Sequence, residues 1–365
     1  MKKLDLSTID PNLITKSYIG KPDVRFFDAE MPPFKTYGIK KYSDGYARLP
    51  SEVANTLNSR ARAFSKTSAG GRIRFSTDSA YVAIRARVTN IYRISMMTLN
   101  LSAGFDVYAD GRFVGCLTPP YELQNGGVYE AVVNLGERTK REITVYTPCY
   151  CTVLDLEIGI DGSASLFEPS EYSLSKPVVF YGSSITNGAL ASRPGLTYPA
   201  IISRSLDLDY INLGFGAGCR GETSLGSYIG TIDASLLVCA YDHNAPNPKK
   251  LRQTHYPFYS AIRDTSWALP IVFVSRPDPK PSPDRDERRM IIKDSFLLAQ
   301  NSGDSNVYFL DGAEIFSELD GDHTMDGIHP NDRGSHILAE KMSHIISSVT
   351  NCKTVQASEK MVKSK

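Results

Sequence analysis

The sequence predicts an α/β chain built in two parts: an all-β jelly-roll sandwich over residues 1–172, then a three-layer open parallel sheet over residues 173–350. Two observations carry the prediction. Up to residue 172, short runs alternating apolar and polar residues with period two, such as "RIRFS" and "YVAIRARV", are separated by turn signals such as "ADGR", "NGG" and "DGS". Beyond it, short apolar runs alternate with helix-like stretches, the rhythm of a parallel sheet with helical crossovers.

In chain order, "SEVANTLNSRARAFS" is one helix-like segment. The sandwich strands follow in "GGRIRFSTDS", "AYVAIRARV", "GFDVYADGRFVGCL", "GGVYEAVVNL", "REITVYTP" and "CTVLDLEIGI". The parallel strands are "PVVFY" (177–181), "DYINL" (209–213), "SLLVCAY" (235–241), "PIVFVS" (270–275) and "NVYFLD" (306–311). Helices are read in "TYPAIISRSL", "PKKLRQTHYPFYSAIRDT", "DRDERRMIIKDSFLLAQNSG" and "NDRGSHILAEKMSHIISSV". Residues 351–365 read as a polar tail.

Composition narrows the function classes. A chain of 365 residues exceeds one ordinary core, and 41% hydrophobic with 22% charged residues is a soluble globular balance. A net charge of +1 offers no field for a polyanion, so nucleic acid is not expected as a partner. No run approaches the ~18 apolar residues of a membrane span. The opening "MKKLDLSTIDPNLITK" has two lysines and no apolar stretch behind them, so it does not read as a signal peptide. The six cysteines form no CxxC pair and read as reduced, small hydrophobic residues. The expected location is therefore cytoplasmic.

In an open parallel sheet, ligands bind beyond the carboxyl ends of the strands. After the first parallel strand comes Gly182-Ser183-Ser184, and after the second "GFGAGCRGE" (214–222). After the third comes "DHNAPN" (242–247), after the fourth Arg276, and before the last helix "HTMDGIHPNDRG" (323–334). Serine is a weak nucleophile at neutral pH and needs a base. Asp326, three residues before His329, can fix the tautomer of that histidine and stabilise its charged form. Backbone N–H groups of a glycine-rich turn and an asparagine amide suit a developing oxyanion. The candidate catalytic residues are therefore a serine of Gly182-Ser183-Ser184, with His329 and Asp326. The candidate oxyanion donors are backbone N–H groups of 214–222 and an asparagine amide of 242–247.

This set, from Val178 to about Ile346, resembles the SGNH, or GDSL, hydrolase superfamily. "GSS" matches its first block with Ser184 as nucleophile, "NLGFGAG" its second at Gly216 or Ala217, Asn244 its third, and "DGIHP" its Asp-x-x-His block. Ser183 replaces the usual aspartate before the nucleophile, and Asp242 replaces the glycine of the third block. "GSSIT" together with "GFDVY" (104–108), which looks like a Gly-x-Asp-Leu-Tyr motif, resembles the branch that carries a β-sandwich ahead of the hydrolase unit. The resemblance implies a flavodoxin-like sheet and a cofactor-free serine esterase. Relatives with this layout remove acetyl groups from plant polysaccharides such as xylan and mannan. The implied partner is an acetylated oligosaccharide.

Plainer and rival readings stand beside this one. Ser184 could be a turn or capping residue, Asp326 and Asn244 plain turn residues, and His329 a surface histidine. Arg220, Glu222, His243 and Arg276 on the rim could hold sugar hydroxyls, or pair and pack internally. Gly216, Gly218 and Gly221 match the dinucleotide fingerprint G-x-G-x-x-G, but on the second strand rather than the first. His323, Asp326 and His329 could ligate a metal, although the Asp-Gly-Ile-His-Pro turn is a poor frame for it, and none is expected. A lipid or thioester acylhydrolase and a non-catalytic carbohydrate-binding protein are the alternatives. The sandwich could shape the cleft, bind glycan or support a homo-oligomer.

Overall fold

The structure, a computed structural model, describes residues 19–277, 283–316 and 321–353. The expected start and most of the expected tail lie outside the described residues. The chain begins with four short strands, β1 (Val24–Asp28), β2 (Lys35–Tyr37), β3 (Lys40–Tyr42) and β4 (Gly45–Ala47). Helices α1 (Ser51–Ala54) and α2 (Ser59–Ser65) follow. They replace the single helix expected there, because the Asn58 side chain accepts from the Arg60 and Ala61 N–H groups and restarts the helix.

The sandwich strands are β5 (Arg72–Thr77), β6 (Tyr81–Thr89), then, after a short α3 (Leu99–Ala103), β7 (Phe105–Ala109), β8 (Arg112–Leu117), β9 (Val128–Asn134), β10 (Arg141–Tyr146), β11 (Thr152–Asp161) and β12 (Leu166–Phe167). One sheet runs β1-β11-β6-β9 and the facing one β12-β5-β10-β7-β8, with β2 paired to β5. The period-two pattern decides the faces. Val82, Ile84, Ala86 and Val88 enter the core between the sheets with Ile73 and Phe75. Arg85 turns outward to Glu130 and Glu157, and Arg87 to Asp155.

The parallel unit starts with β13 (Leu174–Gly182) and α4 (Ser184–Asn187). It continues with α5 (Tyr198–Leu206), β14 (Leu208–Gly214), α6 (Thr223–Thr231), β15 (Leu236–Ala240), α7 (Pro248–Arg263), β16 (Ile271–Val274), α8 (Pro283–Asn301), β17 (Val307–Leu310) and α9 (Asp332–Thr350). Five parallel strands stand in the order β14-β13-β15-β16-β17. Being buried on both faces, they read as continuous apolar runs. Val178 and Phe180 face the layer of α5 and α9, while Val179 and Tyr181 face that of α6, α7 and α8. Because β13 lies between β14 and β15, Gly182, Gly214 and Ala240 end side by side. This is the point where strand order reverses and a crevice opens. Leu49, Ala54, Leu57, Ala61 and Phe64 from the sandwich half join the core on the α6–α7 side, so one apolar cluster spans both halves.

Candidate active site

Three loops meet at that crevice. The first follows β13, where Ser183 caps α4 by accepting from the Ile185 N–H at 3.2 Å. Ser184 thus stands in the first turn of a helix, where its own N–H has no intrahelical acceptor. The Ser184 Oγ lies 2.8 Å from His329 Nε2. His329 Nδ1 lies 2.7 Å from Asp326 Oδ2, completing a continuous serine–histidine–carboxylate relay.

The last loop makes that relay out of local turn chemistry. Asp326 Oδ1 accepts from the N–H groups of Ile328 at 3.0 Å and His329 at 2.8 Å, so one carboxylate bends the turn with one oxygen and holds the ring with the other. Gly327 sits at φ +84°, a conformation glycine adopts without strain. Met325 N–H donates to His329 O at 2.9 Å, and Asn331 caps α9 through the Gly334 N–H. Pro330 fixes the turn, and the helix starts two residues later, at Asp332. Burial pushes the Asp326 carboxyl up, and the hydrogen bonds from His329 and Ile328 outweigh it, holding the carboxyl below the usual range. A carboxylate that stays ionised can stabilise an imidazolium.

The second loop, after β14, supplies donors. Ala217, at φ +55°, gives its N–H to Asn244 Oδ1 at 2.9 Å. Asn244 Nδ2 donates to Phe215 O at 2.9 Å, which Gly218 N–H also reaches at 2.8 Å. Of the two N–H groups expected there, that of Gly216 is the open one. The Ala217 N–H is occupied, while that of Gly216 meets no acceptor among the described residues. In a trans peptide C=O and N–H point opposite ways, so pinning the Phe215 carbonyl turns the Gly216 N–H away from it. A Cβ built on Gly216 would come within 3.3 Å of the Phe64 ring and 3.5 Å of Ser184 Cβ, which shows how closely this backbone approaches the serine.

The remaining rim residues are differently employed. Glu222 pairs internally: its carboxylate accepts from Asn58 Nδ2 at 2.5 Å, the Arg220 N–H at 3.0 Å and Tyr181 OH at 3.4 Å. Arg220 is exposed beside the site, its Nε 3.3 Å from Ala217 O. Arg276 anchors its N–H on Asp242 and its guanidinium on Asp284 at 3.2 Å. His243 is held neutral by burial and by the charge of Arg276. The fingerprint glycines have packing reasons: Gly218 abuts the Ala61 backbone of α2, and Gly221, at φ +74°, abuts Tyr241. His323 is buried on Phe316 and supplies backbone support through Asn331, apart from the Asp326–His329 pair. An 840 Å³ cavity lined by Arg74, Tyr146, Tyr172 and Arg204 lies near the start of β13, and none of Ser184, Gly216, Asn244, Asp326 and His329 lines it.

The sequence reading passed over Asp106 and Tyr108 as site supports. Asp106 Oδ2 accepts from Arg193 Nη1 and the Gly195 N–H, each at 2.8 Å, and Arg193 also donates to Tyr108 OH at 2.8 Å. The "GFDVY" motif thus clamps the loop that leaves α4. In that loop the Ser192 N–H donates to Asp332 at 2.8 Å, tying it to the start of α9 beside His329.

The GDSL-like lipase/acylhydrolase family model matches residues 175–347, and the model for the GxDLY N-terminus of SGNH-hydrolase-type esterases matches residues 24–166. A solved protein from Bacteroides ovatus described as a GDSL-like lipase is 26% identical, with a TM-score of 0.81 over 91% of this chain and 100% of its own. The salicylyl-acyltransferase SsfX3 of a tetracycline biosynthetic pathway is 22% identical (TM-score 0.75, 90% of this chain and 98% of its own). A family two carbohydrate esterase from Clostridium thermocellum, solved with cellohexaose, is 13% identical (TM-score 0.62, 89% and 98%). These last two share the fold. A search of curated proteins returns no match.

Proposed function

The chain belongs to the SGNH/GDSL hydrolase family, and from that premise we propose that it is a serine esterase removing O-acetyl groups from oligosaccharides through an acyl-enzyme. The observation that carries the reading is the unbroken line Asp326 Oδ2–His329 Nδ1 (2.7 Å) and His329 Nε2–Ser184 Oγ (2.8 Å) beside the free Gly216 N–H. Ser184 Oγ attacks the acetyl carbonyl while His329 Nε2 takes its proton and Asp326 balances the imidazolium. The oxyanion is received by the N–H groups of Ser184 and Gly216 and by the remaining Nδ2 hydrogen of Asn244. Collapse expels the sugar oxygen, which takes the proton from His329. Water, deprotonated by the same ring, then attacks the acyl-serine and releases acetate.

The sugar side rests on the fold shared with carbohydrate esterases. The intact relay favours catalysis over a binding-only role. Hydrolysis of 4-nitrophenyl acetate by wild type and Ser184→Ala tests the nucleophile: the variant should lose activity by about 10⁴-fold or more. Equal rates would defeat the assignment. Acetate release from acetylated manno- and xylo-oligosaccharides then tests the substrate class.

A further inference from the structure

The peptide that offers the Gly216 N–H is braced from the sandwich half of the chain. Arg48 follows β4 and is 5% exposed. Its Nη1 donates to Gly214 O at 2.8 Å and to Asn212 O at 3.1 Å. Its Nη2 donates to Phe64 O at 2.5 Å and Thr67 Oγ1 at 2.9 Å, and the guanidinium lies 4.7 Å from the centre of the Phe215 ring. Among the described residues no carboxylate pairs with it. A buried cation without an acid is costly, and carbonyl dipoles offset only part of that cost. Burial accordingly pulls its pKa down to about 10, which still leaves it charged at neutral pH. A purely structural brace could be built more cheaply from a neutral side chain.

The geometry gives the charge a use. The Gly214 carbonyl faces Arg48, and the N–H at the other end of that peptide, on Phe215, donates to Gly182 O at 3.0 Å. The unit held between those two partners immediately precedes the peptide carrying the Gly216 N–H. Asn212 extends the brace to the nucleophile: its Nδ2 donates to Thr186 O in α4 at 2.8 Å, and its Oδ1 accepts from the Gly214 N–H at 2.8 Å. We infer that Arg48 is a positioning residue for the oxyanion-binding peptide 215–216, fixing the peptide before it and placing a positive charge behind the loop that must receive a developing anion. The inference rests on the esterase reading for its chemistry. It predicts that a residue outside the hydrolase unit controls kcat without touching substrate.

Arg72 provides the comparison. It is fully buried, also comes from the sandwich half, and grips the same strand β14 through Asp209 and Tyr210 O, at the end away from the site. The experiment measures kcat and KM on 4-nitrophenyl acetate for Arg48→Met, Arg48→Lys, Thr67→Val and Arg72→Met. Folded sites are counted by fluorophosphonate titration, and urea midpoints are recorded alongside. Removing an oxyanion donor outright lowers kcat by about 10²–10³-fold, so loosening one should lower it by about 10–100-fold in Arg48→Met. KM should stay within about twofold, Lys should restore part of the rate, and Thr67→Val should lose about two- to threefold. Arg72→Met should lose stability with its rate per folded site within about twofold. An Arg48→Met rate within twofold of wild type, or equal rate losses in Arg48→Met and Arg72→Met, overturns the inference. Should the Met variants not fold, the Lys and Val variants carry the same test. Should wild type hydrolyse no ester, the esterase reading fails separately. Hydrogen exchange over residues 212–219 then decides: faster in Arg48→Lys than in Arg72→Lys supports the brace, and equal exchange removes it.

Discussion

At the scale of single residues, the site is organised by side chains that use one group for folding and another for chemistry. Asp326 bends its turn with Oδ1 and holds His329 with Oδ2. Asn244 accepts from Ala217 and donates to Phe215 O, and so fixes both neighbours of Gly216 while keeping a second Nδ2 hydrogen, the one proposed to meet the oxyanion. Asn244→Ala should therefore lower kcat by about 10²–10³-fold, the loss seen when one oxyanion donor is removed, with a smaller change in KM. Steady-state kinetics on a chromogenic acetate ester would check it, and a loss below about threefold would remove Asn244 from the hole. Ser184, Asp326 and His329, which the structure joins by hydrogen bonds, and Asn244 stood out in the letters because Ser184 and Asn244 follow strand ends and the other two are three apart ahead of the last helix. Gly216 and Ala217 could not be separated, because which N–H is free depends on the Asn244 contact, made across 27 residues. The two readings of Glu222 stayed open for the same reason: a carboxylate after a glycine turn gives no sign of a partner at Asn58.

At the scale of elements, the long periodic segments were legible and the short ones were not. All five parallel strands match apolar runs in the sequence, because burial on both faces leaves no polar interruption. Strands β1 to β4 and helices α3, α4 and α6 were not. They are short or glycine- and serine-containing, and they are held by tertiary contacts rather than by propensity. The "GFDVY" segment shows how such contacts are made. Its Asp106 is fully buried, and its carboxylate is shared between Arg193 and the Gly195 N–H in the loop after α4. Removing one partner of a buried pair typically costs about 3–5 kcal/mol. Asp106→Asn keeps the size and one acceptor oxygen, so its cost should lie at the bottom of that range or just below it, about 2–3 kcal/mol by urea unfolding. Its rate per folded site should also fall, because the Ser192–Asp332 contact ties that loop to the start of α9 beside His329. A midpoint unchanged within error would show that the clamp is idle.

At the scale of the whole molecule, the change of rhythm near residue 172 marks a change of architecture without marking a separable boundary. Leu57, Ala61 and Phe64 come from the sandwich half, yet they are buried in the cluster that holds Leu213, Phe215, Leu225 and Ile229 of the hydrolase half. Arg48 and Arg72 each place a buried guanidinium on carbonyls of β14, so the edge strand of the parallel sheet is closed by the other half of the chain. An edge strand without that cover presents unpaired backbone groups and an apolar patch, the conditions for association. We therefore expect residues 173–365, produced alone, to be insoluble or to unfold without cooperativity, and co-production with residues 1–172 to restore a soluble, active complex. Sedimentation and thermal unfolding of the isolated piece provide the measurement. A soluble monomer that unfolds cooperatively and hydrolyses 4-nitrophenyl acetate at the full-chain rate would mean that the sandwich half is an accessory. The bracing of the oxyanion loop through Arg48 would then be dispensable as well, so this one preparation weighs the fold-level and residue-level arguments together.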